Sequence, residues 1–370
     1  MTILTGIAWV SLSIYVLYVS LFSIGLYRLK RQSCVPSVAN TPNVSVVIAA
    51  RNEYNNLKNL LSDLSSQKYP KDKLEIIIVD DRSTDGTWKI ITDFTKKYLN
   101  FRGLQITKKS KDMTPKKFAL SRAISKARGD IILSTDGDCR VKSTWVGSMV
   151  AQLGSRFGII AGFSTIHSKK QKLFHKYQHV DFLSLMSANA GAMGLGLSWA
   201  GSGQNIAYRK DCYTKIDGFN PVAHKVSGDD IYLIQSISKI GGGAFNPDPN
   251  GAVTTLPVDT LGQFINQRTR WASNASGQYN TKIWFLIFLL VAFVLNFSIL
   301  FQVVLGFFSF SLLKIIFIKI LSEGLVIFSG AARLNTPVSI SIFLFWSIIQ
   351  TAYIPIVGLL GVSGKFNWKP

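Results

Sequence analysis

Two aspartates, Asp136 and Asp138, close the apolar run Ile131-Ile132-Leu133-Ser134-Thr135. Spaced i, i+2 at the end of an extended strand, they share a face and can converge on one point. Two carboxylates so close repel each other unless a cation sits between them. An oxygen-only donor pair suits a hard ion, Mg²⁺ or Mn²⁺, which usually takes substrate phosphates as further ligands. The pattern therefore reads as a metal–diphosphate site or as a solvated Asp-Gly turn after a strand. A second acid pair, Asp229-Asp230, stands before the apolar Ile231-Tyr232-Leu233. Adjacent carboxylates there can cap a helix, or divide roles, with one holding structure and the other taking a proton. Gln267, Arg270 and Trp271 share a helix face by their i, i+3, i+4 spacing. Arg suits bidentate binding of a diphosphate, and Trp offers a flat face to a sugar or a lipid headgroup. Both types also populate membrane interfaces.

The elements that must position these groups can be read from apolar runs. Val44 to Ala50 is a buried-strand run ending in Arg51-Asn52-Glu53, followed by a helical pattern through Leu57, Leu60, Leu61 and Leu64. Leu74 to Val79 is a second strand, ending in Asp80-Asp81 and the turn Ser83-Thr84-Asp85-Gly86-Thr87, and a helix runs from Trp88 to about Tyr98. Strands alternating with helices predict a parallel sheet covered on both faces, with ligands bound beyond the carboxyl ends of the strands. Arg51, Asn52, Asp80, Asp81, Asp136 and Asp138 all fall at such ends. A carboxylate at Asp81 can accept from a base N–H or a ribose hydroxyl, or can cap the next helix. Lys116 opens a helix that runs to about Ala127. A lysine in a first turn opposes the helix dipole, so either a bound phosphate or the general basicity of the chain accounts for it. The Gly-rich stretch Trp199 to Arg209 lets backbone approach a ligand closely. His175 and His179 are spaced i, i+4, but no third ligand or general-base Glu accompanies them, which argues against zinc.

The composition sets the surroundings. The 370 residues are 48% hydrophobic, with 41 Lys+Arg against 20 Asp+Glu and a net charge of +21, and mean hydropathy is +0.24. A basic surface suits nucleic acid, anionic lipid or a phosphorylated substrate. No nucleic-acid motif is visible, and the apolar residues gather at the two ends, which favours a membrane and a nucleotide. Cys34, Cys139 and Cys212 match neither a metal spacing nor a disulfide framework, consistent with a reducing compartment. Ile7 to Tyr27 is long and apolar enough to cross a bilayer, and Arg28, Lys30 and Arg31 behind it place the following segment in the cytoplasm. Ser33 to Asn43 reads as a linker. Three further apolar stretches, Ile283 to about Phe310, Leu312 to Ser329 and Val338 to about Gly361, read as spans, with Lys319 and Glu323 spaced to pair inside the second. Lys365 and Lys369 then fall on the outer side, against the positive-inside rule. The expected organisation is a membrane anchor at 1–32, a cytoplasmic α/β domain at 33–258, an interfacial helix at 259–281 and membrane helices at 282–370.

The segments V-x-V-V-I-A-A-R-N-E from Val44 and I-I-I-V-D-D-R-S-T-D-G-T from Ile76, with the D-x-D at Asp136/Asp138, resemble family 2 glycosyltransferases. Q-x-x-R-W at Gln267 to Trp271 resembles the signature of membrane-bound members, including cellulose, hyaluronan and ceramide glucosyl transferases. The resemblance implies a GT-A fold and a nucleotide-diphosphate sugar donor, UDP-sugar first. It implies that Ala50, Arg51, Glu53 and Asp81 hold the nucleoside, that Asp136 faces the sugar or ribose, and that Asp138 binds the metal. Gly203, Asn205 and their neighbours resemble the family's G-x-N-x-A-[FY]-R segment near donor sugar and acceptor. Asp229-Asp230 resembles its E-D-x-x-L motif, which puts the general base on Asp230 and makes Asp229 a departure, Asp for Glu. The resemblance further implies an inverting enzyme of the inner membrane with a lipid acceptor. A processive polysaccharide synthase, or a non-catalytic scaffold that binds sugar nucleotide, are the alternatives.

Overall fold

The computed structural model describes residues 2–31, 41–168, 170, 172–274 and 283–364. Cys34, Lys365, Lys369 and most of the expected linker lie outside them. In chain order the elements begin with α1 (Thr2–Arg28), β1 (Val44–Ala50), α2 (Tyr54–Ser65), β2 (Leu74–Asp81), α3 (Thr87–Lys97), β3 (Phe101–Ile106), α4 (Pro115–Lys126) and β4 (Ile131–Ser134). They continue with β5 (Arg140–Val141), α5 (Trp145–Leu153), β6 (Ile159–Gly162), β7 (Ser164–Ile166), α6 (Leu173–Gly194), β8 (Ile206–Arg209), α7 (Lys210–Lys215) and α8 (Asp229–Gly241). The last are β9 (Gly243–Asn246), β10 (Val253–Thr255), α9 (Leu261–Ser273), α10 (Ile283–Val304), α11 (Phe310–Arg333) and α12 (Ile340–Ser363).

These elements form two compact units. The first, Leu29–Thr165 with Ala200–Leu256, is the α/β unit. Its seven-stranded sheet has the order β3-β2-β1-β4-β8-β6-β9. β1 pairs in parallel with β2 and with β4, whereas β8 runs antiparallel to both β4 and β6. The sheet is thus mixed rather than purely parallel. β1 and β2 are buried along nearly their whole length, as strands covered on both faces must be. The apolar face of α2, Leu57, Leu60, Leu61 and Leu64, is buried against this sheet together with Val46, Ile48 and Ile76. In-register pairing sets Ala50 beside Asp80, so the segments that follow β1 and β2 leave the sheet at one level.

The second unit comprises Met1–Arg28, Ile166–Trp199 and Pro257–Pro370, and is helical. It includes α6, whose residues fall inside the α/β domain expected at 33–258. Glycines explain its membership. A Cβ on Gly25 of α1 would lie 1.9 Å from the Gly191 carbonyl of α6, and one on Gly194 would lie 2.0 Å from the Gly25 carbonyl. The two backbones are in direct contact, which only residues without a side chain permit. Among the described residues three helices, Ile3–Arg28, Ile283–Val304 and Ile340–Ser363, are long and apolar enough to cross a membrane. The middle C-terminal stretch expected to span is a helix of 24 residues, but it carries Lys314, Lys319, Glu323 and Arg333 and is not one of the three. Lys319 and Glu323 do pair, at 2.8 Å and almost wholly buried. Lys319 donates to the Ser347 carbonyl of α12, and the Ser347 hydroxyl donates to Glu323.

Candidate active site

The segments after β1 and β2 are tied to each other. The Asn52 N–H donates to Ser83 Oγ at 3.0 Å, and Asn52 Oδ1 accepts from the Thr84 N–H at 2.9 Å. Asn52 adopts a left-handed φ of 53°, which Asn tolerates better than most residues. Asp85 accepts from the Tyr54 N–H, the Thr87 N–H and the Thr87 hydroxyl. Burial pushes the Asp85 carboxyl up, but these hydrogen bonds outweigh it and leave it below its ordinary range. Glu53 accepts from Asn56 Nδ2 and donates its own N–H to Thr87 Oγ1. Asp81 is 7% exposed, and Arg82 grips it bidentately at 2.7 and 3.0 Å. Asp80 is fully buried.

The turn after β4 meets this pair of loops. A Cβ on Gly137 would touch Glu53 Cγ at 3.2 Å and Ala50 Cβ at 3.8 Å, so Asp136 and Asp138 flank a glycine packed on the end of β1. Both aspartates are half-buried. Lys116, in the first turn of α4, sits 2.8 Å from Asp136 and 3.7 Å from Asp229. Burial opposes its charge, but Asp136 and Asp229 outweigh burial and hold the ammonium above its ordinary value. Lys117 turns the other way, 1% exposed, and donates to the Lys225 carbonyl. It thereby ties α4 to the loop that leads into α8.

Asp230 lies in the first turn of α8. Its Oδ2 accepts from the Gly203 N–H at 3.0 Å and its Oδ1 from the Ile231 N–H at 2.8 Å. Burial first, and then the neighbouring Asp229 carboxylate, push its carboxyl up to about 6, against the pull of Lys116. Asp136, Asp229, Asp230, Lys116 and Gly203 line one crevice together with Ser134 and Thr135. A carboxylate whose pKa is raised towards neutrality, beside a second acid and a fixed cation, is a group suited to taking a proton.

Residues 45–216 match Glycosyl transferase family 2. That segment of the chain is similar to a glycosyl transferase family 2 domain. The chain is similar to the probable glycosyltransferase YdaM of Bacillus subtilis, at 27% identity over 62% of this chain and 54% of that protein. It is also similar to a beta-monoglucosyldiacylglycerol synthase of Nostoc, at 34% identity over 28% of this chain and 21% of that protein. The chain thus spans about half or less of the length of these relatives. Among solved structures, the mannosyltransferase PcManGT from Pyrobaculum calidifontis, in complex with GDP-Man and Mn²⁺, superposes with a TM-score of 0.62 at 18% identity. That match covers 98% of this chain and 99% of that one, and the expected GT-A fold is borne out.

Within the α/β unit several expected site residues come together: Ala50, Glu53, Asp136 and Asp138 at the β1 and β4 ends, and Asp136, Lys116, Gly203, Asp229 and Asp230 in the crevice. Arg51 follows β1 directly, and its Nε is buried without a hydrogen-bond partner. Two expectations change. Lys116 needs no bound phosphate to explain it, because two carboxylates already offset its clash with the helix dipole. Asn205 is a structural pin: fully buried, it accepts from Trp145 Nε1 at 2.9 Å and donates to the Phe163 and Gly251 carbonyls at 2.8 Å. Both amide hydrogens and the amide oxygen of Asn205 are thus engaged by protein. His175 and His179 turn to Ser168 and to the carbonyls of Lys170, Ile166 and Pro337.

The donor set at Asp136 and Asp138 fits a divalent cation. Among the described residues no group of three or more His, Cys, Asp or Glu forms a complete metal cage. Two half-buried carboxylates are the set that a hard ion completes with water and substrate phosphate. Gln267, Arg270 and Trp271 belong to the helical unit, on α9, where all three are half-buried. A capping box between Thr260 and Gln263 starts this helix.

Proposed function

We propose that the protein transfers a sugar from a nucleotide-diphosphate sugar, UDP-sugar first, to a membrane lipid, with inversion at the anomeric carbon. The observation that carries the reading is the crevice in which Asp230, raised to about 6, faces Asp229, Lys116 and Asp136. The acceptor hydroxyl gives its proton to Asp230 as its oxygen bonds to the anomeric carbon. The bond from that carbon to the diphosphate breaks on the opposite face, and the nucleoside diphosphate leaves. One such displacement inverts the configuration. Gly203 and Ile231 hold the base by its two oxygens. Lys116 keeps Asp229 and Asp136 in place and favours the ionised form of Asp230. Ala50, Arg51, Glu53 and Asp81 hold the nucleoside, and Asp136 the ribose or sugar. Asp138, with Asp136, would hold Mg²⁺ or Mn²⁺, which when bound would offset the charge developing on the leaving diphosphate. Gln267, Arg270 and Trp271 contribute to the diphosphate and acceptor sites.

The lipid acceptor is supported by the three apolar helices and by the similarity to a glucosyldiacylglycerol synthase. Arg28, Lys30 and Arg31 after α1 favour an α/β unit on the cytoplasmic side of the inner membrane. Product size tests the acceptor. Purified protein in vesicles, given a panel of UDP- and GDP-sugars, is expected to yield one sugar on an extractable lipid. A ladder of polymer would mark a processive polysaccharide synthase, and donor bound without turnover would mark a scaffold.

A further inference from the structure

Arg268 stands inside the Q-x-x-R-W segment without being one of its motif residues. It is the residue of that segment that α9 turns inward most, at 2% exposure. Its guanidinium is engaged on three sides. Nε meets Asp181 Oδ2 at 2.8 Å, and Nη1 donates to Gln267 Oε1 at 2.7 Å. Its Cζ lies over two rings, 4.0 Å from the centre of Trp271 and 4.6 Å from that of Phe264. The partner carboxylate, on α6, is fixed in turn. Asp181 Oδ1 accepts from Gln350 Nε2 at 3.1 Å and from Trp346 Nε1 at 3.3 Å, both on α12. One buried ion pair therefore links three helices and touches both the first and the last residue of the motif.

A buried ion pair is a poor stabiliser: desolvating two charges commonly costs as much as their attraction returns, and well-packed apolar residues often replace such a pair without loss. What it supplies is direction. The guanidinium of Arg268 fixes the Gln267 amide by a hydrogen bond and the Trp271 indole by a cation–π contact. We propose that Asp181 and Arg268 are positioning residues that hold the side chains of Gln267 and Trp271 for sugar transfer. This rests on the reading above, in which those two residues take part in donor and acceptor binding. Misplacement of a binding group by about 1 Å is enough to lower turnover by orders of magnitude.

The test uses the full chain in vesicles containing diacylglycerol, labelled with 5-fluorotryptophan. Trp271 is assigned by the resonance lost in Trp271→Phe, and turnover is read as UDP released from UDP-glucose. Asp181→Asn retains an acceptor for Trp346 and Gln350 but removes the counter-ion of Arg268. The expected result is a shifted or broadened Trp271 resonance with kcat per folded molecule reduced at least tenfold. The double variant Asp181→Leu/Arg268→Met guards against misfolding. It is expected to melt within a few degrees of wild type and still lose at least tenfold in kcat. An unmoved Trp271 resonance in Asp181→Asn, or wild-type kcat and KM in the folded double variant, would overturn the proposal. If the wild-type protein releases no UDP, the functional reading fails instead, and the resonance alone decides whether the pair fixes Trp271.

Discussion

Gly203 donates its backbone N–H to Asp230 Oδ2 at 3.0 Å, and the two residues are so close that a Cβ on the glycine would lie 3.3 Å from Asp230 Cβ. The residue proposed as the base is thus held by a backbone group that must come from a residue with almost no side chain. Gly203→Ala is expected to push Asp230 aside by a few tenths of an ångström, with little effect on folding. We expect kcat to fall about tenfold with nucleotide affinity unchanged, in keeping with the sensitivity of reacting geometry to small displacements. Steady-state kinetics alongside a thermal melt would check it. An unchanged kcat would show that this hydrogen bond does not position the base.

The raised carboxyl of Asp230 sets a pH dependence. A base must be ionised to accept a proton, and its folded-state value of about 6 lies above the ordinary carboxylate range. Activity is therefore expected to be full above pH 7 and to fall through pH 6 as Asp230 protonates, approaching a tenfold loss per unit at lower pH. A profile of kcat/KM against pH measures this. A plateau extending down to pH 4.5 would contradict it.

Lys116 lies 2.8 Å from Asp136 and favours the charged form of Asp230. Lys116→Met removes a cation from among three carboxylates. The expected result is an acid limb displaced to higher pH, together with lower activity at pH 7. Overlaying the two pH profiles tests the sign, since a limb moved to lower pH would show that Lys116 acts in some other way.

Metal removal addresses Asp138. Excess EDTA is expected to abolish donor turnover, and Mn²⁺ or Mg²⁺ to restore it. Asp138→Asn should raise the Mn²⁺ concentration needed for half-maximal activity by about tenfold or more, because one anionic ligand is lost. Full activity in EDTA would remove the metal from the account.

The contact between α1 and α6 makes a prediction about stability alone. A Cβ on Gly25 would lie 1.9 Å from the Gly191 carbonyl, whereas one on Gly6 would meet nothing within 4 Å. Gly25→Val is therefore expected to destabilise the helical unit by about 1–3 kcal/mol or more, as overpacking does, while Gly6→Ala leaves it unchanged. Melting temperatures in detergent would distinguish the two, and equal values would contradict the close approach.

Much of the α/β unit was legible because β1, β2 and β4 are apolar runs whose ends coincide with polar residues, and in a wound sheet such ends collect at one edge. Asp136 and Asp138 could be singled out for that reason, and Asp229-Asp230 because two adjacent acids stand before an apolar helical run. What escaped the sequence depends on pairings between distant residues. Lys116 looked like an uncompensated cation until folding brought in Asp136 and Asp229. Asn205 sat in a glycine-rich stretch suited to ligands, but Trp145, 60 positions away, takes up its amide. The helix α6 carries no marker of its unit apart from its small residues, whose meaning is visible only once Gly25 lies against Gly191. Arg268 was masked by the motif around it, since nothing in Q-x-x-R-W shows which intervening residue turns inward.

The most direct test is mass spectrometry of lipids extracted from membranes of cells producing either the wild-type protein or Asp230→Asn. A lipid bearing one added sugar is expected with wild type and absent with the variant, which should still bind nucleotide sugar and reach the membrane in equal amount. The same glycolipid at near-normal level from Asp230→Asn would contradict the central claim that this carboxylate takes the acceptor's proton.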